Sequence, residues 1–404
     1  MSLAEHDSDP WRHPTLLAAL TGAIAAVGAT IFAISPMLSD IAASFGVPPA
    51  HAGRLIGVYS LAMAIVAPVV GLFGRRLPRV QIIVGGLLLF AVSWLVGCMT
   101  ERFELLLGCT LIAGAATGAV VPAVYAYAAD LSSFTQRARV MGLVISGWSI
   151  AILAVVPLMA IAGQAIGWRQ AFMALALAAL VCAAVLATTR QPRRLAGAHA
   201  PDGEAMPDLG ESVRRVLGNR PTRILLLVNL VDMGAFYGVY AFLGSELRRI
   251  NDWGAAPAGL MMACYGVGLI ILSFNGRLID RVGKTRTAIG TLLVLGAVLS
   301  LLPWLLSVPA LLALGMVVWG AAQGGFFTSV TALVTEQVPA LRGIVTAMLS
   351  GATYLGVSLF SPLAVWLFEH AGMAAVGLAS GAACVLAGLV LYQVRSGVAA
   401  VERS

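Results

Sequence analysis

The chain has 404 residues, of which 60% are hydrophobic and 11% charged, with a mean hydropathy of +0.93 and a net charge of +7. Soluble domains carry about 25% charged residues, so this composition excludes a soluble protein. Lipid-exposed backbone must satisfy its own hydrogen bonds, and the recurrent apolar runs therefore predict an all-α membrane protein.

Twelve transmembrane spans are predicted in chain order after a polar N-terminal tail, residues 1–14. The first apolar run is long enough to remain in the membrane as a span, since a hydrocarbon layer ~30 Å thick needs about 20 residues. The spans cover residues 15–38, 53–73, 80–99, 104–129, 138–163, 168–188, 222–245, 256–275, 286–306, 309–335, 343–368 and 372–394.

One connection is much longer than the others and divides the chain into two bundles of six spans, 15–188 and 222–394. This linker, residues 189–221, is rich in Pro, Gly and charged residues. Its ESVRRVL stretch is predicted to form a short surface helix. Residues 395–404 form a C-terminal tail.

The basic residues predict the orientation. With the N-terminus in the cytoplasm, 20 of the 25 Lys and Arg residues fall on the cytoplasmic side, and the other five are Arg54, Arg102, Arg169, Arg248 and Arg249. Cytoplasmic loops carry such an excess of Lys and Arg. We therefore predict a multi-pass protein of the inner (plasma) membrane with both termini in the cytoplasm. The same bias explains the net charge, so no nucleic acid is expected as a partner.

The two bundles resemble each other in sequence. Residues 114–118 (GAATG) match residues 320–324 (GAAQG), which lie 206 positions later, and Asp130 matches Glu336 at the same offset. Parallel repeats of this kind enclose a site near the middle of the membrane, and the two halves rock to alternate its exposure. The pattern therefore predicts a duplicated six-span unit with a site between its copies.

The loop between the eighth and ninth spans reads GRLIDRVGKTR from Gly276 to Arg286. It matches the signature GxxxDRxGR/K, and on this motif the chain resembles the major facilitator superfamily over essentially its whole length. Within that superfamily it is similar to the twelve-span drug:proton antiporters and their sugar and nucleoside exporter relatives. The resemblance implies twelve transmembrane helices in two pseudo-symmetric six-helix bundles (the major facilitator fold).

Two departures from the family pattern concern the mechanism. Thr110 stands where family antiporters often have an Arg, and the antiporter motif of the fifth span survives only as Gly147, Pro157 and Gly163. In the first-half copy of the loop signature, Arg75 stands where the family prefers Asp. A proton symporter or a facilitator is therefore an alternative to a proton antiporter.

Asp232 lies near the middle of the seventh span, within an apolar run from Ile224 to Gly244. A carboxylate at that depth is costly, and such residues usually face a cavity or a polar partner and mark an ion or substrate path. We predict that Asp232 carries the coupling proton. The alternative is a structural Asp that bonds a neighbouring helix and never titrates.

Polar and aromatic residues near the middle of the membrane are the candidates for substrate binding. A mostly apolar cavity with few polar groups suits a small amphipathic ligand, and ordinary helix packing is the alternative for each residue. Helical geometry places Tyr237 on a different side from Asp232. The candidates are Asn229, Phe236 and Tyr240 on the seventh span, Trp319 and Gln323 on the tenth, and Thr117 and Tyr125 on the fourth.

Charged residues at the predicted cytoplasmic ends are candidates for a conformational latch. The family resemblance implies that ion pairs and helix-end dipoles there hold one conformation. The alternative is ordinary surface pairing, which contributes little energy. The candidates are Asp280, Arg281, Arg286, Asp130, Glu336 and Arg342.

These observations predict a secondary active transporter that exports a small organic solute by proton antiport with alternating access. A membrane receptor or enzyme is the rival class, and the duplicated halves and the lack of a GxSxG nucleophile motif count against it. The expected partners are a small-molecule substrate, protons and the lipid bilayer. No cofactor and no metal site are predicted, and a monomer is expected.

Overall fold

A computed structural model describes residues 14–73, 77–131, 136–189, 209–273, 279, 281–338, 341–395 and 398. The described residues are helical almost throughout and contain no β-strand. Ten of their helices are long and apolar enough to cross a membrane. The prediction of an all-α membrane protein is therefore confirmed.

The helices are numbered here in chain order. They are α1 (Pro14–Phe45), α2 (Pro49–Phe73), α3 (Arg79–Met99), α4 (Phe103–Leu131), α5 (Arg137–Ile150), α6 (Val156–Ile166), α7 (Trp168–Thr188), α8 (Leu209–Gly218), α9 (Arg220–Asn251), α10 (Ala255–Ser273), α11 (Lys284–Leu305), α12 (Pro309–Gln337) and α13 (Arg342–Gln393). A π-helical turn, Ala151–Val155, joins α5 to α6. It ends two residues before Pro157, whose backbone has no N–H to donate.

The longest helix, α13, has 52 residues and covers the eleventh and twelfth predicted spans. Its backbone leaves the helical conformation at Gly372, where φ is 74° and ψ is −173°. Glycine adopts a positive φ without steric cost, which explains a sharp bend at this residue. The count of twelve spans stays a prediction, because it requires α13 to be counted twice and the shorter apolar helix α10 to cross the membrane.

The linker contains the short helix that its sequence predicts. In α8, Val216 is buried and Arg214 is exposed, as in an amphipathic surface helix. The side chain of Asn219 then accepts a hydrogen bond from the Thr222 amide at 3.1 Å and caps the start of α9. Residues 190–208 of the linker and residues 1–13 of the N-terminal tail lie outside the described residues.

Two helices occupy the interior of the bundle. In the most apolar stretch of α1, 89% of the residues are buried, and in α9 the share is 78%, whereas the other long apolar helices reach 50% at most. A helix that is apolar on all sides is stable in such an interior position. Functional side chains on α1 and α9 are therefore enclosed by protein rather than exposed to lipid.

Both interior helices extend beyond their predicted spans. α1 continues to Phe45 and α9 to Asn251, although the apolar runs end near residues 38 and 245. These extensions carry Asp40 and Arg248, and we call this side of the bundle the Asp40 end. The two residues form a bidentate ion pair, with nitrogen–oxygen distances of 2.6 and 2.8 Å.

Helix contacts recur in both halves of the chain. Gly114 of α4 lies so close to the Tyr59 carbonyl of α2 that a Cβ there would overlap it. Gly320 of α12 makes the same contact with the Tyr265 carbonyl of α10. Gly320 follows Gly114 by 206 residues, and Tyr265 follows Tyr59 by the same number. Small residues allow membrane helices to approach this closely. The recurrence supports the repeat that the sequence predicts.

Candidate functional site

A buried carboxylate and a buried amide meet near the middle of α9 and α12. The Asp232 side chain is 1% exposed and that of Gln323 is 3% exposed. The Nε2 amide of Gln323 donates a hydrogen bond to Oδ2 of Asp232 at 2.6 Å. These two residues come from α9 and α12, two of the three helices that carry predicted site residues, and the structure brings them into direct contact.

The surroundings of Asp232 differ from those of the other buried acid in the described part of the chain. Glu246 forms an ion pair with Arg249 at 2.8 Å, whereas the described partner of Asp232 is a neutral amide. Burying an ionised carboxylate costs several kcal/mol unless a cation or enough hydrogen bonds compensate for it. Oδ1 of Asp232 and Oε1 of Gln323 have no hydrogen-bond partner among the described residues. The pair therefore has two acceptor atoms available to a proton or a ligand.

Aromatic rings from both halves of the chain pack together beside this pair. Phe236 stacks on Tyr240 with centroids 5.4 Å apart, and it also contacts Trp319 at 5.1 Å. Aromatic rings favour such offset and edge-to-face arrangements. We call the group the aromatic cluster, and its members are Phe32, Trp148, Phe236, Tyr237, Tyr240, Tyr265 and Trp319.

The cluster also contains polar atoms without partners. Tyr240 and Trp319 are each 0% exposed, and neither the Tyr240 hydroxyl nor the Trp319 indole N–H has a hydrogen-bond partner in the described part of the chain. Buried Tyr and Trp side chains usually satisfy these groups. The aromatic cluster and the adjacent Asp232–Gln323 pair thus contain an N–H donor, a hydroxyl and two acceptor oxygens without described partners.

Sequence reasoning missed Phe32, which joins the two halves of the cluster. It lies on α1 and contacts Tyr240 at 5.3 Å and Tyr237 at 5.8 Å. A phenylalanine in an apolar span has no local signal, because its role depends on which helix lies opposite. Tyr237, which the sequence predicts on a different side of α9 from Asp232, also contacts Phe32.

Thr117, a predicted binding residue, has a partner within its own half. Its hydroxyl and that of Tyr59 are hydrogen-bonded at 2.6 Å, and the Tyr59 hydroxyl donates to the Val27 carbonyl at 3.0 Å. The Thr117 hydroxyl also lies 3.0 Å from the Ala113 carbonyl of its own helix, and the two hydroxyl protons are shared among these three contacts. These bonds connect α1, α2 and α4, so the structure places Thr117 in a polar network with no direct contact to Asp232.

Tyr125 connects to the aromatic cluster through Trp148. The Trp148 indole N–H donates to the Tyr125 hydroxyl at 2.7 Å, and the Trp148 ring contacts Phe32 edge-on at 6.4 Å. The sequence predicts a shared face for Tyr125 and Thr117, but the two side chains bond to different helices. Tyr125 lies next to the cluster, whereas Thr117 bonds to α2.

Asn229 lies one turn before Asp232 and bonds to α13. Its Nδ2 amide donates to the Thr353 hydroxyl at 2.8 Å and to the Leu349 carbonyl at 3.5 Å. Its Oδ1 atom has no partner among the described residues. Asn229 therefore holds α9 against α13 and still offers one acceptor.

The predicted latch residues Asp130 and Glu336 each form an ion pair at the opposite side of the bundle, which we call the Asp130 end. Arg79 contacts Asp130 and Lys284 contacts Glu336, both at 2.5 Å. The two pairs occupy equivalent positions of the repeat, and each joins helices of the same half. The sequence had not indicated Arg79 and Lys284 as their partners.

The remaining latch candidates have less structural support. Arg281, Arg286 and Arg342 are exposed. Asp280 lies outside the described residues, so its predicted role depends on the sequence motif. Within the described ranges, no three His, Cys, Asp or Glu side chains are grouped as a metal site would require.

Comparisons with known proteins identify the family. A family model described as Major Facilitator Superfamily matches residues 19–245 and 224–403. The Bacillus subtilis protein named uncharacterized MFS-type transporter YwfA is 32% identical over 380 residues, which cover 94% of this chain and 91% of that protein. A chloramphenicol resistance protein of Streptomyces lividans is 28% identical, with 70% and 71% covered. A probable sugar efflux transporter of Mannheimia succiniciproducens is 23% identical, with 86% and 85% covered.

Proposed function

The chain belongs to the Major Facilitator Superfamily, and from this premise we propose that it exports a small organic solute in exchange for protons. It is a multi-pass membrane transporter of this superfamily and not an enzyme. Two similar proteins are named for chloramphenicol resistance and for sugar efflux, and these names support the outward direction of transport.

The observation that carries the proposal is the buried Asp232–Gln323 pair. Asp232 is held by one neutral hydrogen bond and its second oxygen has no described partner. A protonated carboxyl costs far less to bury than an ionised one, so gain or loss of a proton changes the stability of this site. Alternating exposure of the site to the two sides of the membrane then moves that proton across.

The substrate is proposed to bind beside this pair, against the aromatic cluster. The ring faces of Phe236 and Trp319 offer apolar contact, and the Tyr240 hydroxyl and Trp319 N–H offer hydrogen bonds. Tyr125 and Asn229 extend the site on either side, and Thr117 supports it through Tyr59. No basic side chain contacts Asp232 among the described residues, which favours a neutral or cationic amphipathic solute.

The orientation and assembly state complete the proposal. The Asp40 end faces away from the cytoplasm and the Asp130 end faces the cytoplasm, because the basic residues concentrate at the latter. Both termini are then cytoplasmic and the membrane is the inner (plasma) membrane. One chain contains both halves of the site, so a monomer suffices for transport.

A proton symporter or a facilitator is the second candidate, and Thr110 is the observation that favours it. Its hydroxyl donates to the Leu106 carbonyl of the same helix at 2.7 Å. A threonine that is bonded in this way does not replace the positive charge of the family's antiporters. Proton coupling therefore depends on Asp232 in our proposal.

The test is transport in proteoliposomes with an imposed pH gradient. The panel of solutes contains sugars, nucleosides, amino acids, lipophilic cations and chloramphenicol. We expect accumulation of one solute class against its gradient, driven by protons moving the other way. Asp232→Asn is expected to abolish this accumulation and to retain counterflow exchange, because Asn cannot carry the proton.

The matched control is Asp252→Asn, which removes a carboxylate from the end of α9 and is expected to transport at the wild-type rate. Uphill transport by Asp232→Asn at the wild-type rate would remove the proton role. Solute movement in the same direction as protons would establish the symporter instead, and movement that ignores the pH gradient would establish the facilitator.

A further inference from the structure

Ser35 of α1 contacts α9 at two backbone atoms that an α-helix normally pairs with each other. Its hydroxyl donates to the Tyr240 carbonyl at 2.5 Å and accepts a hydrogen bond from the Gly244 amide at 3.2 Å. In a regular helix, the amide of residue 244 bonds to the carbonyl of residue 240. The buried Ser35 hydroxyl of α1 therefore bonds to both the donor and the acceptor of one backbone hydrogen bond of α9.

Gly244 makes this contact possible. A Cβ at this residue would lie 2.5 Å from the Ser35 carbonyl oxygen and 2.6 Å from Cα of Pro36. Real Cβ atoms do not come so close to backbone, and any larger residue would separate α1 from α9. Pro36 also lacks a backbone N–H, so α1 loses a helical hydrogen bond at the same level.

The contact continues to the end of both helices. Arg248 donates to both oxygens of Asp40 and also to the Pro36 carbonyl at 3.2 Å. The Arg248 and Asp40 side chains are 18% and 34% exposed, so water screens this ion pair only in part. We call this set the Ser35 clamp, and it consists of Ser35, Pro36, Asp40, Tyr240, Gly244 and Arg248.

The clamp shares residues with the proposed substrate site. The Tyr240 carbonyl belongs to the clamp, and the Tyr240 ring belongs to the aromatic cluster. On the other helix, Phe32 lies one turn before Pro36 and contacts the Tyr240 ring. A ligand that moves either ring therefore acts on helices that the clamp joins.

We propose that Ser35 is a positioning residue of the transport cycle, which closes the Asp40 end by donating one hydrogen bond to the backbone of α9 and accepting another from it. The Gly244 amide and the Tyr240 carbonyl belong to one continuous α-helix, so they have each other as partners when the clamp opens. Both groups are satisfied in either state, so neither state contains an unpaired buried backbone group. A contact with two such states is a suitable element for a switch. This inference depends on the alternating access of the proposed function.

The clamp is tested by hydrogen–deuterium exchange and mass spectrometry of the full chain in lipid nanodiscs. Ser35→Ala removes the hydroxyl, and we expect deuterium uptake about fivefold faster at the Asp40 end of both α1 and α9, because both hydrogen bonds between Ser35 and α9 are lost. Ser245→Ala is the matched control. Ser245 is buried on α9 too, but its hydroxyl donates to Phe242 of its own helix at 2.8 Å, so wild-type exchange is expected.

Gly244→Ala is the second variant and is expected to give the same faster exchange, because its Cβ separates the two helices. If Ser35→Ala does not fold, the deuterium uptake of Gly244→Ala at the Asp40 end tests the proposal instead. Wild-type exchange at the Asp40 end in the folded variants would overturn the proposal, and so would an equal increase in Ser245→Ala. The measurement uses no substrate and no pH gradient, so a failed transport assay leaves its outcome unaffected.

Discussion

At the scale of single residues, two equivalent positions of the repeat have different surroundings. Thr117 of α4 bonds to Tyr59, whose hydroxyl also reaches the Val27 carbonyl. Gln323 lies 206 residues later and bonds to Asp232, and each of these two side chains keeps an oxygen without a described partner. In the first network, the Thr117 and Tyr59 hydroxyls bond to each other and to backbone. In the second, two oxygens can still accept a hydrogen bond from a ligand. This difference is the reason for placing the chemistry of the site in the second half.

Gln323→Ala is expected to raise the half-saturation concentration for transport about tenfold. The variant loses the Oε1 acceptor that is proposed to bond to the solute, and hydrogen bonds to charged groups contribute about 1.5–3 kcal/mol. The maximal rate at saturating solute is expected to change less. Initial rates over a range of solute concentrations measure both quantities. Thr110→Ala is the control, since the Thr110 hydroxyl bonds only to its own helix in the described contacts. An unchanged half-saturation concentration with a lower melting temperature would make Gln323 a structural amide.

At the scale of helices, close approach at glycine determines which elements pack together. Gly320 joins α12 to α10, and Gly114 joins α4 to α2, each against a tyrosine carbonyl. The tyrosines of these contacts, Tyr265 and Tyr59, then direct their rings toward the aromatic cluster and toward Thr117. The glycines therefore position the functional side chains although they bear none themselves.

Gly320→Ala is expected to lower the melting temperature and the yield of folded protein, because a Cβ there overlaps the Tyr265 carbonyl and must displace a helix. Overpacking of this kind costs about 1–3 kcal/mol. Thermal unfolding in detergent, followed by size-exclusion chromatography, measures the effect. Gly290→Ala is the matched control, since a Cβ at that helical position meets no atom within 4 Å. Equal melting temperatures for the two variants would contradict this account of the packing.

At the scale of the whole molecule, the two ends of the bundle are held in different ways. The Ser35 clamp joins the two halves at the Asp40 end. At the Asp130 end, the pairs Arg79–Asp130 and Lys284–Glu336 each stay within one half. The ion pairs described at the Asp40 end therefore include one between the halves, whereas those described at the Asp130 end lie within each half. In our proposal, the halves rock as units, and the contacts between them at the Asp40 end open during the cycle.

Asp130→Asn and Glu336→Gln are expected to lower the initial transport rate by similar factors, because the two pairs are equivalent in the repeat. Their effect on the free energy of unfolding is expected to be small, about 0–1 kcal/mol, since all four side chains are partly exposed. Glu211→Gln, which breaks an exposed pair on the surface helix α8, is the control. A defect in only one of the two variants, at matched expression, would show that the halves do not use these pairs alike.

The sequence by itself determined the fold class, the approximate bounds of most helices and the candidate acid. These follow from local properties: apolar runs long enough to cross a bilayer, a gap between the last two runs at residues 369–371, and one carboxylate deep in an apolar span. The repeat was also visible, because the glycines that pack against carbonyls recur at a fixed offset. Each of these signals lies within one segment of the chain or in its comparison with another segment.

Only the tertiary structure decided which side chains meet. The bond between Gln323 and Asp232, the insertion of Phe32 into the aromatic cluster, and the contact of Ser35 with α9 all join segments far apart in the chain. In a span that is apolar on every side, the sequence pattern does not mark the face that meets another helix. The pairing of Thr117 with Tyr59 was equally hidden. The identity of each contact depends on the packing of the helices, which no single span encodes.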